Sequence, residues 1–103
     1  MDKEKVKILN AFVREKGEQI QKLLPSHEAH PGGRIGIAHL YWVIKDVMGV
    51  PMKECRDSRY NDIVEIIQYC VDNAKEEDIM DALYDKYEPE PVYKPVTLDN
   101  FFD

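Results

Sequence analysis

The chain has 103 residues, of which 44% are apolar and 33% charged, which is typical of one small globular domain. A formal net charge of −6 argues against a phosphate-binding surface over the whole protein. No apolar run approaches the roughly 18 residues of a membrane span, and the first residues lack the apolar stretch of a signal peptide. We therefore expect a cytoplasmic protein that does not associate with membranes.

The acidic side chains are concentrated in the last third of the chain. Residues 1 to 65 carry 11 basic and 10 acidic side chains, whereas residues 72 to 103 carry 3 basic and 10 acidic ones. This asymmetry predicts an acidic C-terminal surface that avoids nonspecific contact with nucleic acid.

Two amphipathic helices are predicted in the first half of the chain. The first covers residues 3 to 24, is weakened by Gly17 and ends before Pro25. The second covers residues 35 to 48 and ends at Gly49 in a left-handed cap. Helical spacing of apolar residues carries both predictions: Val6, Leu9, Val13, Ile20, Leu23 and Leu24 in the first, and Ile37, Leu40, Tyr41, Ile44, Val47 and Met48 in the second, where Trp42 and Val43 widen the buried stripe.

Two further helices complete a predicted all-α bundle of three or four helices. Ser58 is placed to cap the third helix, and an acidic opening favours the start of the fourth, over residues 76 to 87. The apolar positions are Ile63, Ile66, Ile67 and Cys70 in the third helix, and Ile79, Met80, Leu83, Tyr84 and Tyr87 in the fourth.

A proline-rich segment follows the predicted bundle. Three prolines within residues 88 to 95 are incompatible with a helix and favour extended geometry. The predicted organisation is therefore a helical domain, residues 1 to 87, and an extended tail, residues 88 to 103. The last residues are unusually apolar for a chain terminus.

No arrangement of a nucleophile, a base and an orienting group is visible, so we expect a protein that is not an enzyme and needs no cofactor. His27, His30 and His39 are the nitrogen ligands available to a metal, but their spacing matches no compact zinc signature. Cys55 and Cys70 are predicted to be reduced thiols in the core. We therefore expect no metal site.

Residues 40 to 67 resemble the C-terminal domain of phage antirepressors. The similarity rests on a helix, a Gly-Val break and a second helix, with the landmarks Leu40, Tyr41, Ile44, Lys45, Gly49, Val50 and Tyr60. This domain usually has an aromatic residue and a proline before the second helix, where Cys55 and Arg56 stand here. The resemblance implies a phage or mobile-element origin.

Two helices joined by a short link are also compatible with a helix-turn-helix unit that binds DNA. Lys53, Arg56 and Arg59 are the candidate nucleic-acid contacts of such a unit. Residues 34 to 65 hold five basic and five acidic side chains, however, so a salt-bridged bundle surface is the competing interpretation.

The end of the chain carries a second resemblance. Leu98, Phe101 and Phe102 follow the pattern of an aliphatic residue, two residues and two aromatics. This pattern resembles the sliding-clamp-binding peptide of archaeal and eukaryotic replication proteins. One tight helical turn brings these three positions to one side as an apolar plug.

The residues before this plug extend the comparison. Tyr93 and Val96 are candidates for an extended segment along the clamp surface. The family has a glutamine three residues before the aliphatic position, where this chain has Pro95, which implies weaker binding or a different clamp.

The leading expectation is therefore a non-enzymatic adaptor or modulator that binds a DNA sliding clamp through its tail. Two alternatives stay open at this point: a phage-type DNA-binding regulator, and an acidic viral inhibitor of a host nucleic-acid-processing enzyme that uses residues 76 to 90. A third interpretation of Phe101 and Phe102 is that they complete the protein's own core. A homodimer is equally compatible with the amphipathic pattern.

Overall fold

A computed structural model describes residues 1–24, 35–76 and 78–91 as an all-α bundle, which confirms the predicted fold class. Its four helices are α1 (Lys3–Ile20), α2 (Gly36–Met48), α3 (Tyr60–Asp72) and α4 (Met80–Lys86). Two short 3₁₀ turns, Met52–Glu54 and Asp57–Arg59, lie in the connection between α2 and α3. None of the helices in the described ranges is both long enough and apolar enough to cross a membrane.

The core is built from the apolar faces of all four helices. α1 packs mainly against α2, α3 packs against both α1 and α2, and α4 packs against α2. The fully buried side chains at the centre include Leu9, Val13, Ile20, Leu40, Val43, Ile44, Val47, Met48, Ile63, Ile66, Ile67 and Leu83. The helical spacing of these residues is the reason that sequence pattern predicts the bundle.

A pair of glycines sets the closest approach between α1 and α2. A Cβ atom built on Gly17 would lie 2.7 Å from the backbone of Ile37, and one built on Gly36 would collide with the carbonyl oxygen of Gly17. The amide of Gly36 donates a hydrogen bond of 2.5 Å to Oε1 of Gln21. Gly17, predicted only as a weak point of the first helix, is therefore a packing residue.

Several predicted helix ends were wrong. α1 ends at Ile20, and residues 21 to 24 form a turn. Ser58 lies inside a 3₁₀ turn and does not cap α3. The N-cap residue of α3 is Arg59, which makes no side-chain capping bond. α4 begins at Met80 rather than residue 76, and the Oδ1 atom of Asp78 accepts a hydrogen bond of 3.3 Å from the Met80 amide.

Three aromatic residues expected on buried faces are exposed. Trp42 is 55% exposed, Tyr84 48% and Tyr41 37%. Tyr41 donates a hydrogen bond of 2.7 Å from its hydroxyl to Asn10 on α1, and the hydroxyl of Tyr84 bonds to the carboxylate of Asp46 on α2. Trp42 was predicted to widen the buried stripe of α2 but lies outside it, because the neighbouring helices cover a narrower face.

The predicted glycine cap of α2 is confirmed. Gly49 has a φ of 78°, in the left-handed region, and its amide donates a hydrogen bond of 2.8 Å to the carbonyl of Lys45. This conformation is unfavourable for residues with a Cβ atom.

We expect Gly49→Ala to lower the free energy of unfolding by about 1 kcal/mol, because alanine is strained at this φ. A Cβ atom at Gly49 meets only ordinary contact, 3.4 Å from Cβ of Pro89, so no steric clash adds to that loss. Urea unfolding followed by circular dichroism measures the change. A loss above about 3 kcal/mol would contradict this assignment of the cost to backbone strain alone.

Candidate functional site

The segment that follows α4 is held against the body of the protein at Glu90. Residues 87 to 91 are not helical, as the prolines predict, and the backbone of Tyr87 is extended. The amide of Glu90 donates a hydrogen bond of 2.7 Å to the carbonyl of Met48 at the end of α2, and the Glu90 residue is only 6% exposed. Glu90 is therefore part of the packed body of the described residues.

Arg59 binds the same segment from the start of α3. Its Nη1 atom donates to Oε1 of Glu90 at 2.7 Å, and its Nη2 atom donates to the carbonyl of Glu88 at 2.6 Å. Its Nε atom donates to Oδ2 of Asp62 at 2.9 Å. Arg59 is 8% exposed, so this guanidinium is almost wholly engaged inside the protein.

Arg56 completes the cluster from the solvent side. Its Nε atom lies 3.0 Å from Oε2 of Glu90, its Nη2 atom 3.3 Å from Oε1, and its backbone amide donates to Oε2 at 3.3 Å. The side chain of Arg56 is 62% exposed, whereas that of Glu90 is 5% exposed. We call Arg56, Arg59 and Glu90 the tail anchor, since they fix the point from which the chain continues to its C-terminal residues.

The tail anchor shifts the pKa values of its members in the directions that favour charge. Burial by itself opposes the charged form of Glu90, but the hydrogen bonds from Arg56 and Arg59 outweigh it and lower the pKa of this carboxyl. Burial likewise opposes the charged form of Arg59, yet its bonds to Glu90 and Asp62 raise its pKa. Both groups are therefore ionised at neutral pH.

An open cleft of about 420 Å³ lies beside the tail anchor. Its lining mixes both signs of charge: Arg56, Arg59, Asp62, Glu65, Lys86, Tyr87 and Glu88. The Nζ atom of Lys86 lies 3.9 Å from Oε1 of Glu65 and 5.4 Å from the ring centre of Tyr87. The mixed lining gives this cleft no strong preference for an anion or a cation.

The three residues proposed for nucleic-acid contact are in different environments. Lys53 is exposed, and its carbonyl accepts a hydrogen bond of 2.9 Å from the amino group of Met1. Arg56 is exposed but bonds to Glu90, and Arg59 is buried. The donors of Arg59 are thus occupied by protein acceptors, which leaves Lys53 and the outer side of Arg56 as the accessible basic groups of this set.

The proposed clamp-binding residues lie outside the described residues, namely Tyr93, Val96, Leu98, Phe101 and Phe102. His27 and His30 also lie outside them. His39 lies on α2 with its ring 6.5 Å from that of Trp42 in a stacked arrangement. Over residues 1–24, 35–76 and 78–91, no three potential metal ligands are brought together.

The two cysteines are buried and unpaired with each other, as predicted. Burial raises the pKa of the Cys70 thiol to about 12. The pKa of Cys55 is also raised, chiefly by burial and then by the charge of Glu90. Both side chains are protonated at neutral pH, a state that is unsuited to nucleophilic chemistry.

Sequence reasoning missed Glu90, the central residue of the tail anchor. The only local signal is that a glutamate lies between Pro89 and Pro91, and a solvent-exposed acidic linker would have the same pattern. Its partners lie 31 and 34 residues earlier in the chain, so the pairing depends on how α3 and α4 each pack against α2.

The fold and the anchor define a small all-α protein with an internally tethered C-terminal segment. No family model matches this chain, and neither the curated proteins nor the solved structures contain a significant match to it.

Proposed function

We propose that this protein is a non-enzymatic adaptor or modulator that docks on a DNA sliding clamp through Leu98, Phe101 and Phe102. The observation that carries the proposal is the tail anchor, because it holds Glu90 against the body directly before exposed Pro91. The apolar triad thus follows a fixed attachment point by only eight to twelve residues along the chain. That arrangement suits a linear motif presented by a folded domain.

The spacer between anchor and triad supports this proposal. Leu98 is eight residues beyond Glu90, a span of up to about 26 Å when extended. Prolines at positions 91 and 95 favour extended conformations, which would lower the entropy lost on docking. A spacer of this length would separate a bound partner from the bundle.

The composition of the core also supports a tail that is available for binding. The buried apolar cluster of the described residues runs from Leu9 to Tyr87 and draws on all four helices. The described part of the chain therefore supplies a substantial core from residues that precede the tail. Phe101 and Phe102 need not be assigned to it.

The role of the bundle follows from its position beside the motif. A domain tethered about 26 Å or less from a clamp-bound plug occupies the space in which other clients bind. The bundle would therefore block those clients or bring a further factor to the clamp. The acidic last third disfavours direct DNA contact near the clamp.

The experiment compares the full chain with the Phe101→Ala/Phe102→Ala variant as baits in a lysate of the source organism, with mass-spectrometric identification of captured proteins. We expect the unaltered chain to capture a sliding clamp and the double variant to lose it. Titration with the purified clamp should give a micromolar Kd, weakened about 100-fold by the double substitution, because two aromatic rings leave apolar pockets.

The matched control is Thr97→Ala/Asn100→Ala, which alters one tail position directly before the plug and one between its residues. This control should bind the clamp within about threefold of the unaltered chain. Equal clamp binding by the Phe101→Ala/Phe102→Ala variant, or no clamp among the captured proteins, would refute the proposed function.

A further inference from the structure

An apolar stripe lies exposed along the outer side of α2. Ile35, just before the helix, is 67% exposed, Trp42 is 55% exposed, and Ala38 lies between them with an exposed side chain. The three positions are spaced by three and four residues, so they share one helix face. His39 stacks on Trp42 and adds a flat ring to the same surface. We call Ile35, Ala38 and Trp42 the α2 stripe.

The α2 stripe leads toward the tail anchor. Asp46 is one turn beyond Trp42, and its carboxylate accepts a hydrogen bond from the hydroxyl of exposed Tyr84 on α4. Met48, two residues further along α2, accepts the amide hydrogen bond of Glu90. The chain therefore leaves the body at the C-terminal end of the helix that carries the stripe.

The residues beyond the anchor are long enough to reach the whole stripe. Along the axis of α2, Trp42 lies about 9 Å and Ile35 about 20 Å from Met48. Leu98 lies up to about 26 Å beyond Glu90, and Phe102 up to about 40 Å. A tail that runs back along α2 therefore has enough length to bring Leu98, Phe101 and Phe102 to Trp42 and Ile35 without full extension.

We propose that the α2 stripe is the intramolecular docking site for Leu98, Phe101 and Phe102 of the same chain. In this closed form the apolar plug covers Trp42 and Ile35, and binding of a partner to the plug requires its release. The inference rests on the proposed function only for the identity of that partner. The docking itself depends on the stripe, the anchor and the reach of the tail.

The tail is a better occupant of the stripe than a second copy of the chain. Two copies that each carry a net charge of −6 repel one another, whereas a covalently attached tail gains from effective concentrations in the millimolar range. The tail also supplies three large apolar side chains within reach of a surface that exposes two. Tail docking is therefore independent of protein concentration.

Trp42 is the only tryptophan of the chain, so its fluorescence reports on the stripe directly. The experiment measures acrylamide quenching of Trp42 in the full chain, in Phe101→Ala/Phe102→Ala and in the control Thr97→Ala/Asn100→Ala. We expect the quenching constant to rise about twofold in the phenylalanine variant, because the plug no longer shields the indole, and to stay unchanged in the control.

A second variant alters the α2 stripe instead of the tail. Ile35→Glu places a charge where the plug docks and leaves Trp42 as reporter, so we expect the same rise in quenching. Far-ultraviolet circular dichroism checks that each variant keeps its helical content. Equal quenching in the unaltered chain and the phenylalanine variant would overturn the proposal, and so would protection of Trp42 that disappears on dilution, which would assign the stripe to a second copy.

Clamp titrations separate this inference from the proposed function. If both hold, Ile35→Glu binds the clamp several-fold more tightly than the unaltered chain, because the closed form no longer competes. Protection of Trp42 by the phenylalanines in a chain that binds no clamp supports docking and refutes only the proposed function. Clamp binding without any protection of Trp42 refutes docking and leaves the proposed function standing.

Discussion

Replacement of Gly36 by alanine is expected to lower the free energy of unfolding by about 3 kcal/mol or more. The new Cβ atom would collide with the carbonyl oxygen of Gly17, a backbone atom that cannot turn aside as a side chain does. Relief of the collision requires α1 and α2 to separate, which weakens the largest helix contact of the bundle. It also disturbs the hydrogen bond from the Gly36 amide to Gln21.

Gly17→Ala tests the same helix contact, because the contact and helix propensity predict opposite signs for the change in the free energy of unfolding. Helix propensity alone predicts that alanine stabilises an interior helix position by about 1 kcal/mol. The Cβ atom at Gly17, however, would lie 2.7 Å from three atoms of Ile37, two of them backbone atoms. We therefore expect a loss of about 2 kcal/mol instead of a gain.

Urea unfolding of both variants, monitored by circular dichroism, gives the two free energies. Glu18→Ala on the exposed side of α1 is the matched control and should change stability by less than about 0.5 kcal/mol. A stabilised Gly17→Ala protein would show that the helices do not cross at these glycines.

Replacement of Glu90 by glutamine is expected to cost about 2 to 4 kcal/mol at neutral pH. The amide keeps one acceptor oxygen but presents an NH₂ group toward the donors of Arg56 and Arg59. Arg59 then keeps only Asp62 as a charged partner while it is 8% exposed. A buried charge that loses its partner is strongly destabilising, although the remaining bond to Asp62 limits the loss.

The cost of Glu90→Gln should depend on pH in a defined direction. The pKa of Glu90 is lowered in the folded protein, so its stabilising contribution is complete above the ordinary glutamate pKa, about 4.3. The contribution is lost as the pH falls through the lower folded value. The difference in unfolding free energy between the two proteins should therefore shrink below about pH 4.

Glu88→Gln is the control for this measurement, because it removes the same charge from an exposed side chain two residues away. Only the backbone carbonyl of Glu88 bonds to Arg59, and that carbonyl is unchanged. The control should stay within about 0.5 kcal/mol of the unaltered protein at neutral pH. A Glu90→Gln penalty of the same size at pH 7 and pH 3 would contradict the charged anchor.

Much of the fold was predictable because its signals are local. Leu40, Ile44 and Val47 recur at helical spacing, and Gly49 marks a left-handed cap that few other residues tolerate, so the helices and one helix end follow from neighbouring residues. Other helix ends were misplaced. Serine is a common N-cap residue, but the chain at Ser58 forms a 3₁₀ turn instead.

The tail anchor was not predictable in the same way. In the sequence, Arg59 looks like a residue that contacts nucleic acid, and Glu90 looks like part of a solvent-exposed linker. The residues next to each of them do not show whether its charge is exposed or buried in an ion pair. The proposed clamp-binding plug is a different case, because its pattern is visible in the sequence and lies outside the described residues.

The sequence by itself determined the all-α class, the apolar faces that form the core and the burial of the two cysteines, since each depends on periodicity or on intrinsic residue preference. Only the tertiary structure decided that Gly17 and Gly36 meet, that Trp42 faces outward and that Arg59 closes on Glu90. These features join residues 19 to 31 positions apart or depend on which helix covers which face. Their physical basis is the packing of complete helices, which a local pattern does not encode.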